Sequence, residues 1–152
     1  MIEIKEYVFK LEGLANNLNK ELLAKVSAQG KATENLTLDV VERVRDTGKS
    51  FDGSSFTPYS AGYKKQRQKK GRSINFKNFE MTTQMWKDFG VKEKKIDETG
   101  ITIVQKGSSE QYKIDFQSEY EKKSIIAPSQ KEIDKWWEDV NEEFMKLLGN
   151  IK

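Results

Sequence analysis

One segment constrains the fold of this chain more than any other. It opens with Pro128-Ser129-Gln130-Lys131-Glu132 and continues with Ile133, Trp136, Trp137, Val140, Phe144, Leu147, Leu148 and Ile151. The Ser129 hydroxyl is placed to accept from the Glu132 amide while the Glu132 carboxylate reaches back, which is a capping box. Apolar steps of three and four then predict a strongly amphipathic helix over 129–150. Such a face must be buried, so the rest of the chain has to supply a surface for it, and a β-hairpin is the expected partner. Trp136 and Trp137 diverge by about 100° on a helix, so one of them belongs at the edge of the core or against another subunit. Together with Trp86, Phe89 and Phe144 they are expected as core rather than as a ligand pocket.

The N-terminal part repeats the helical spacing. Ile4, Val8, Leu11, Leu14, Leu18, Leu22 and Val26 form one apolar face, and Ala32, Leu36, Val40, Val41 and Val44 form a second after Gly30. Residues 1–46 therefore read as one long helix, straight or bent at Gly30, or as two stacked helices ending near Asp46-Thr47-Gly48. The spacing suits an intramolecular core and also allows a seam with another subunit.

The middle, 47–120, is expected to hold a turn, a short basic helix and a small antiparallel sheet. Asp52-Gly53 marks the turn. Thr57-Pro58 reads as an N-cap and first helical residue, with the helix running to about Lys70 and stopped by Gly71. Tyr59 and Tyr63 would form its buried edge and the cations the rest of its circumference. Ile74 to Phe76 reads as a strand or extended segment. Phe79, Met81, Met85, Trp86 and Phe89 are expected in the core, as a short helix or an irregular turn and strand. Residues 97–100 form a turn before ITIVQ at 101–105, and YKIDF at 112–116 is expected to pair with it as a hairpin. A single α+β domain over 1–152 accommodates all of these elements.

Composition narrows the chemistry. The chain has 152 residues, 11% of them aromatic, enough to fold around a core. It has no cysteine and no histidine, which removes disulfides, thiolate metal sites and the commonest general acid–base group. No apolar run is long enough to span a membrane and the N-terminus lacks a signal-peptide pattern, so a soluble protein made in a cytoplasm is expected. The net charge is +3, yet Lys64, Lys65, Arg67, Lys69, Lys70 and Arg72 alone carry six positive charges, leaving −3 for everything else. Beside Tyr59 and Tyr63, these cations suit phosphate contact and base stacking without sequence readout, an acidic partner, or simply a solvated helix face. Glu93-Lys94-Lys95 and Glu121-Lys122-Lys123, the latter preceded by Asp115, fit a loose metal-nuclease pattern. In a chain so rich in lysine and glutamate such triplets arise by chance. No catalytic residue, metal site, cofactor, membrane contact or small-molecule substrate is expected.

The order of signals from DGSSFTPYSAGYKKQRQKKGR to INFKNFEMTTQMWKDFGV resembles the virion-morphogenesis and tail-completion proteins of tailed bacteriophages. In those families a long helix leads to a DG-x-x-W/F-x-P-L/Y-S turn, then a Y-x-x-x-K helix, a glycine-basic loop and an L/F-x-x-T-G/x-x-M/L segment before the sheet. Asp52, Gly53, Phe56, Pro58, Tyr59, Ser60, Tyr63, Lys65, Gly71, Arg72, Phe79, Thr82 and Met85 stand at matching positions. The run SIIAPSQKE, 124–132, resembles the closing motif before the last helix. The resemblance covers roughly 43–148. Two departures stand out: Thr82-Thr83 replaces the usual TG, and only Lys122 or Lys123 represents an arginine near the closing motif. The resemblance implies a non-enzymatic structural protein of the virion neck or tail end. It would assemble as a ring of its own copies and meet portal, connector or tail-tube proteins, with the N-terminal helix face and the hairpin edge as candidate contact patches. A small DNA-binding accessory protein acting through 64–72 is the alternative.

Overall fold

The computed structural model describes residues 7–12, 31–80, 83–97 and 100–149. They form an α+β fold. Strand β1 (Tyr7–Glu12) and helix α1 (Lys31–Glu42) come first, and α1 runs directly into a π-helical turn, Arg43–Thr47. Helices α2 (Ala61–Lys69) and α3 (Gln84–Asp88) follow, then strands β2 (Gly90–Asp97) and β3 (Gly100–Lys106). Helices α4 (Gln111–Glu121) and α5 (Gln130–Gly149) complete the order.

The sheet has the order β1-β3-β2 and is antiparallel throughout. Tyr7 stands opposite Gln105 and Glu12 opposite Gly100, while β2 pairs with β3 from Gly90–Lys106 down to Asp97–Gly100. A bulge between Val91 and Glu93 shifts that second register. The hairpin therefore precedes ITIVQ instead of following it. Residues 112–116, expected as its second strand, lie in α4. The apparent alternation of Tyr112, Ile114 and Phe116 is misleading, because Ile114 is fully buried while Tyr112 and Phe116 are exposed. Ile114 and Ser118, four apart, line the buried side, which is the helical period.

Residues 7–12 are likewise a strand, where the apolar spacing from Ile4 to Val26 predicted a helix; the rest of that stretch, 1–6 and 13–30, lies outside the described residues, as do Met81 and Thr82. The second half of the helical reading holds. Ala32, Leu36, Val40, Val41 and Val44 are all buried, and the helix ends at Gly48. Gly48 has φ +63, and a Cβ there would lie 2.6 Å from the Phe76 ring, so both backbone and space demand glycine. Residues 74–76 form no strand.

The Ser129–Glu132 capping box is present in both directions: the Ser129 amide donates to Glu132 Oε2 at 2.7 Å and the Glu132 amide to Ser129 Oγ at 3.3 Å. Helix α5 packs antiparallel on α1 instead of docking chiefly on the hairpin. Arg43 Nε donates to Glu132 at 2.8 Å, Lys135 pairs with Asp39 at 2.7 Å, and the Trp136 indole donates to Thr33 Oγ1 at 3.3 Å. Arg43 also donates to the carbonyls of Lys49 and Ala127, tying three segments together. Trp136 and Val140 are buried, and Trp137 is half-buried at the edge. The main apolar core joins Val40, Val41 and Val44 to Phe56, Met85, Trp86, Phe89, Ile114, Ile125 and Ile126.

Candidate interaction surface

Helix α2 carries the basic run, and its caps set how that run faces. Ser60, not Thr57, caps it, with Oγ accepting from the Tyr63 amide at 3.3 Å. Thr57 is engaged elsewhere: its amide and hydroxyl both donate to Glu121 Oε2, at 2.9 and 3.0 Å. At the other end Gly71, φ +65, donates to the Gln68 carbonyl and the Arg72 amide to the Arg67 carbonyl, a Schellman motif.

That geometry divides the six cations. Arg67 is 1% exposed and does not belong to any surface patch, contrary to the expectation that the cations ring the outside of the helix. Its Nε donates to the Ser73 carbonyl (2.8 Å), Nη1 to the Glu80 carbonyl (2.7 Å) and Nη2 to Asn78 Oδ1 (3.1 Å). The guanidinium stacks 4.5 Å from the Tyr59 ring centroid. Guanidinium suits this role, with five donors in a rigid fork and a face that stacks on aromatics. Lys64 is half-buried, and Lys65, Lys69, Lys70 and Arg72 are exposed; none of the five forms an ion pair among the described residues.

Around Arg67 sits a polar hub that carried no signal in the sequence. The Tyr59 hydroxyl meets the amides of Asn78 and Phe79 and the Asn78 side chain, each at 3.2 Å. Burial raises the Tyr59 pKa, opposed by the Arg67 charge and the two amides, so the phenol stays neutral. The Trp86 indole donates to the Asn78 carbonyl at 3.1 Å. Phe79, in the left-handed region at φ +56, meets Phe56 edge-on at 4.8 Å.

Lys77 and Glu121 form a second buried constellation. Their side chains are 6% and 2% exposed and the pair spans 2.6 Å. Burial pushes the Glu121 carboxyl up, but the bonds from Lys77 and Thr57 outweigh it and hold the pKa below its ordinary value. The Lys77 ammonium also lies 4.6 Å over the Tyr120 ring. Glu121 is therefore a structural anion. Asp115, the other carboxylate of the nuclease-like pattern, accepts from Gln111 Nε2 at 2.7 Å. Among the described residues no group of three acidic, cysteine or histidine side chains could hold a metal ion.

Between α2 and α4 lies a groove made of two adjoining cavities of about 420 and 560 Å³. Both are lined by Tyr63, Phe79, Phe116 and Gln117; the first adds Pro58, Tyr59, Lys77 and Tyr120, the second Met85, Tyr112 and Lys113. One wall of the groove stands open to solvent. Tyr112, Phe116 and Tyr120 are 63%, 64% and 58% exposed and follow one another at four-residue spacing on α4. That period is present in the sequence itself, across YKIDFQSEY at 112–120. Lys113 is already paired with Glu110, and Lys77 with Glu121, so neither lysine of the groove is free.

Some of the residues singled out in the 52–85 segment frame this groove. Pro58, Tyr59 and Tyr63 line it, Phe56 and Met85 are buried beneath, and Gly71 terminates its helical wall. Asp52 and Gly53 form a separate exposed turn, where Asp52 Oδ1 accepts from the Ser54 amide at 2.9 Å. The Ser54 hydroxyl and amide hold the Asp52 carboxyl below its ordinary range. Among the described residues no helix is long and apolar enough to cross a membrane. No family model matches the chain, and no curated protein or solved structure matches it.

Proposed function

We propose that this chain is a non-enzymatic structural protein of a phage neck. It completes the tail or joins it to the head as a ring of its own copies in contact with portal, connector or tail-tube proteins. It would act in the virion and be made in the host cytoplasm. The observation that carries the reading is the open aromatic wall of α4 beside a groove framed by the motif residues Pro58, Tyr59 and Tyr63. Three large aromatic side chains in one row on a small domain suit burial against protein, because aromatics dominate interface cores. Lys77, Lys113 and Tyr59 of the groove are engaged in structural bonds, which favours recognition over turnover.

Electron microscopy and sedimentation of the purified protein over a concentration series test this. Ring-shaped particles forming as concentration rises are expected, and a chain that stays monomeric at the highest concentration overturns the proposal.

A second reading, a DNA-binding accessory protein, draws support from Lys64, Lys65, Lys69, Lys70 and Arg72, on and after α2, which form no ion pair among the described residues. It now excludes Arg67. It predicts binding to random duplex with a log–log salt slope of about −0.9 for each phosphate neutralised. Changing Lys64, Lys65, Lys69 and Lys70 to glutamine should abolish that binding; unchanged affinity eliminates this reading.

A further inference from the structure

The groove between α2 and α4 is aromatic on both sides. Tyr59 and Tyr63, edge to face at 5.2 Å, form the α2 side, and Tyr112, Phe116 and Tyr120 form the α4 side. Residues four apart on a helix are separated by a rise of about 6 Å, so the α4 row runs for about 12 Å. Three polar groups between these rings can donate. The hydroxyls of Tyr63 and Tyr120 and the side-chain amide of Gln117 have no hydrogen-bond partner among the described residues. Both lysines of the groove are held by carboxylates, Lys77 by Glu121 and Lys113 by Glu110, so neither offers an unpaired charge. Helix α4 itself leans acidic, with Asp115, Glu119 and Glu121 against Lys113, and Glu119 is exposed without an ion pair among the described residues.

These features discriminate between occupants. A docked helix keeps its carbonyls in its own hydrogen bonds and would leave the two phenols and the amide unpaired. A phosphodiester chain would meet the carboxylates of α4 and paired lysines. A polyproline II segment has no internal hydrogen bonds, so its carbonyls are open to those donors, and its rings suit an aromatic-lined groove. About four of its residues, at ~3.1 Å each, match the length of the α4 row. We propose that the groove receives a proline-rich segment of a different protein, in polyproline II form, with a lysine or arginine beside the prolines that meets Glu119. A second copy cannot supply it: the chain has two prolines, of which Pro58 lines the groove and Pro128 is buried. The inference rests on the reading of the α4 wall as a protein contact, and it leaves ring closure to other surfaces.

Titrating the full chain into a fluorescent decaproline that bears one terminal lysine, followed by anisotropy, tests this. Saturable binding is expected, and a glycine–serine peptide of the same length and charge should not bind. Phe116→Ala, at an exposed position, should weaken binding about tenfold or more. Tyr63→Phe keeps the ring and removes the hydroxyl, and should weaken it about threefold. Glu119→Gln should weaken the lysine-bearing peptide and leave a lysine-free decaproline unchanged, and added salt should have the same selective effect. All three variants should keep the far-UV circular dichroism of the parent.

No saturable binding, equal binding of the glycine–serine peptide, or affinity that survives Phe116→Ala each overturns the inference. So does an oligothymidylate, or a helical peptide with leucines at four-residue spacing, that binds through Phe116 where decaproline does not. Sedimentation in parallel reads the ring separately. Rings without decaproline binding sink this inference alone, and a monomer that binds decaproline through Phe116 sinks the ring alone.

Discussion

Helices α4 and α5 carry similar aromatic loads and use them in opposite ways. On α5, Trp136 is buried against α1, its indole is hydrogen-bonded to Thr33, and the first turn is locked by a capping box. On α4 the buried side is made by Ile114 and Ser118, while Tyr112, Phe116 and Tyr120 face solvent. Aromatic content alone therefore says little about where a helix packs. What separates the two is which residues stand at the period that meets the core.

Removing one aromatic from each helix should break the symmetry most sharply. Trp136→Ala empties a fully buried site and should cost about 3–5 kcal/mol of unfolding free energy in a denaturant titration. Phe116→Ala should stay within about 0.5 kcal/mol of the parent in the same titration. Its effect belongs to assembly. A comparable loss at both positions would mean that Phe116 is part of the core.

The next contrast lies within α2, between a buried cation and a surface one. Arg67→Ala strands the carbonyls of Ser73 and Glu80, removes one of the three donors to Asn78 Oδ1, and should cost about 3 kcal/mol or more. Lys65→Ala on the outer face should be nearly neutral in stability. Equal costs would show that Arg67 is held no more firmly than its exposed neighbours. A smaller effect is expected at the α5 cap, where Ser129→Ala should lose about 1 kcal/mol by removing the acceptor for the Glu132 amide.

The smallest expected effect is a pH dependence. Because the folded pKa of Glu121 is lowered, its contribution to stability is fully present above the ordinary value of about 4.5 and is lost as pH falls through the folded value. Glu121→Gln should flatten the acid limb of a stability–pH curve, which urea midpoints measured across that range would register. An unchanged limb would assign the acid sensitivity to other carboxylates.

Legibility followed the same division. The C-terminal helix, the 31–48 segment and the Gly71 end of the basic helix could be read from periodicity and cap residues, because those signals are local; its start fell at Ser60 and not at Thr57, because Thr57 is drawn to Glu121. The sheet was harder. In YVFKLE the apolar residues fit a strand as Tyr7, Phe9 and Leu11, while Val8 and Leu11 also fit a longer helical stripe, and the longer pattern misled. The β2 sequence GVKEKKID is mostly charged, as an edge strand tolerates, and so gave little strand signal. The groove was least legible of all. Lys77, Asn78 and Glu121 are far apart in sequence from the residues they hold, and only the fold reveals that one arginine in a run of surface cations turns inward.

The two anchors of the groove respond differently to protons. Arg67 fastens the α2 wall to the 73–80 loop through two main-chain carbonyls and a side-chain amide oxygen, acceptors that acid does not neutralise. The α4 wall is fastened through a carboxylate, Glu121, which acid can neutralise. Protonation of that one carboxylate would weaken the bonds to Thr57 and Lys77 together, while the contacts of Arg67 involve no carboxylate.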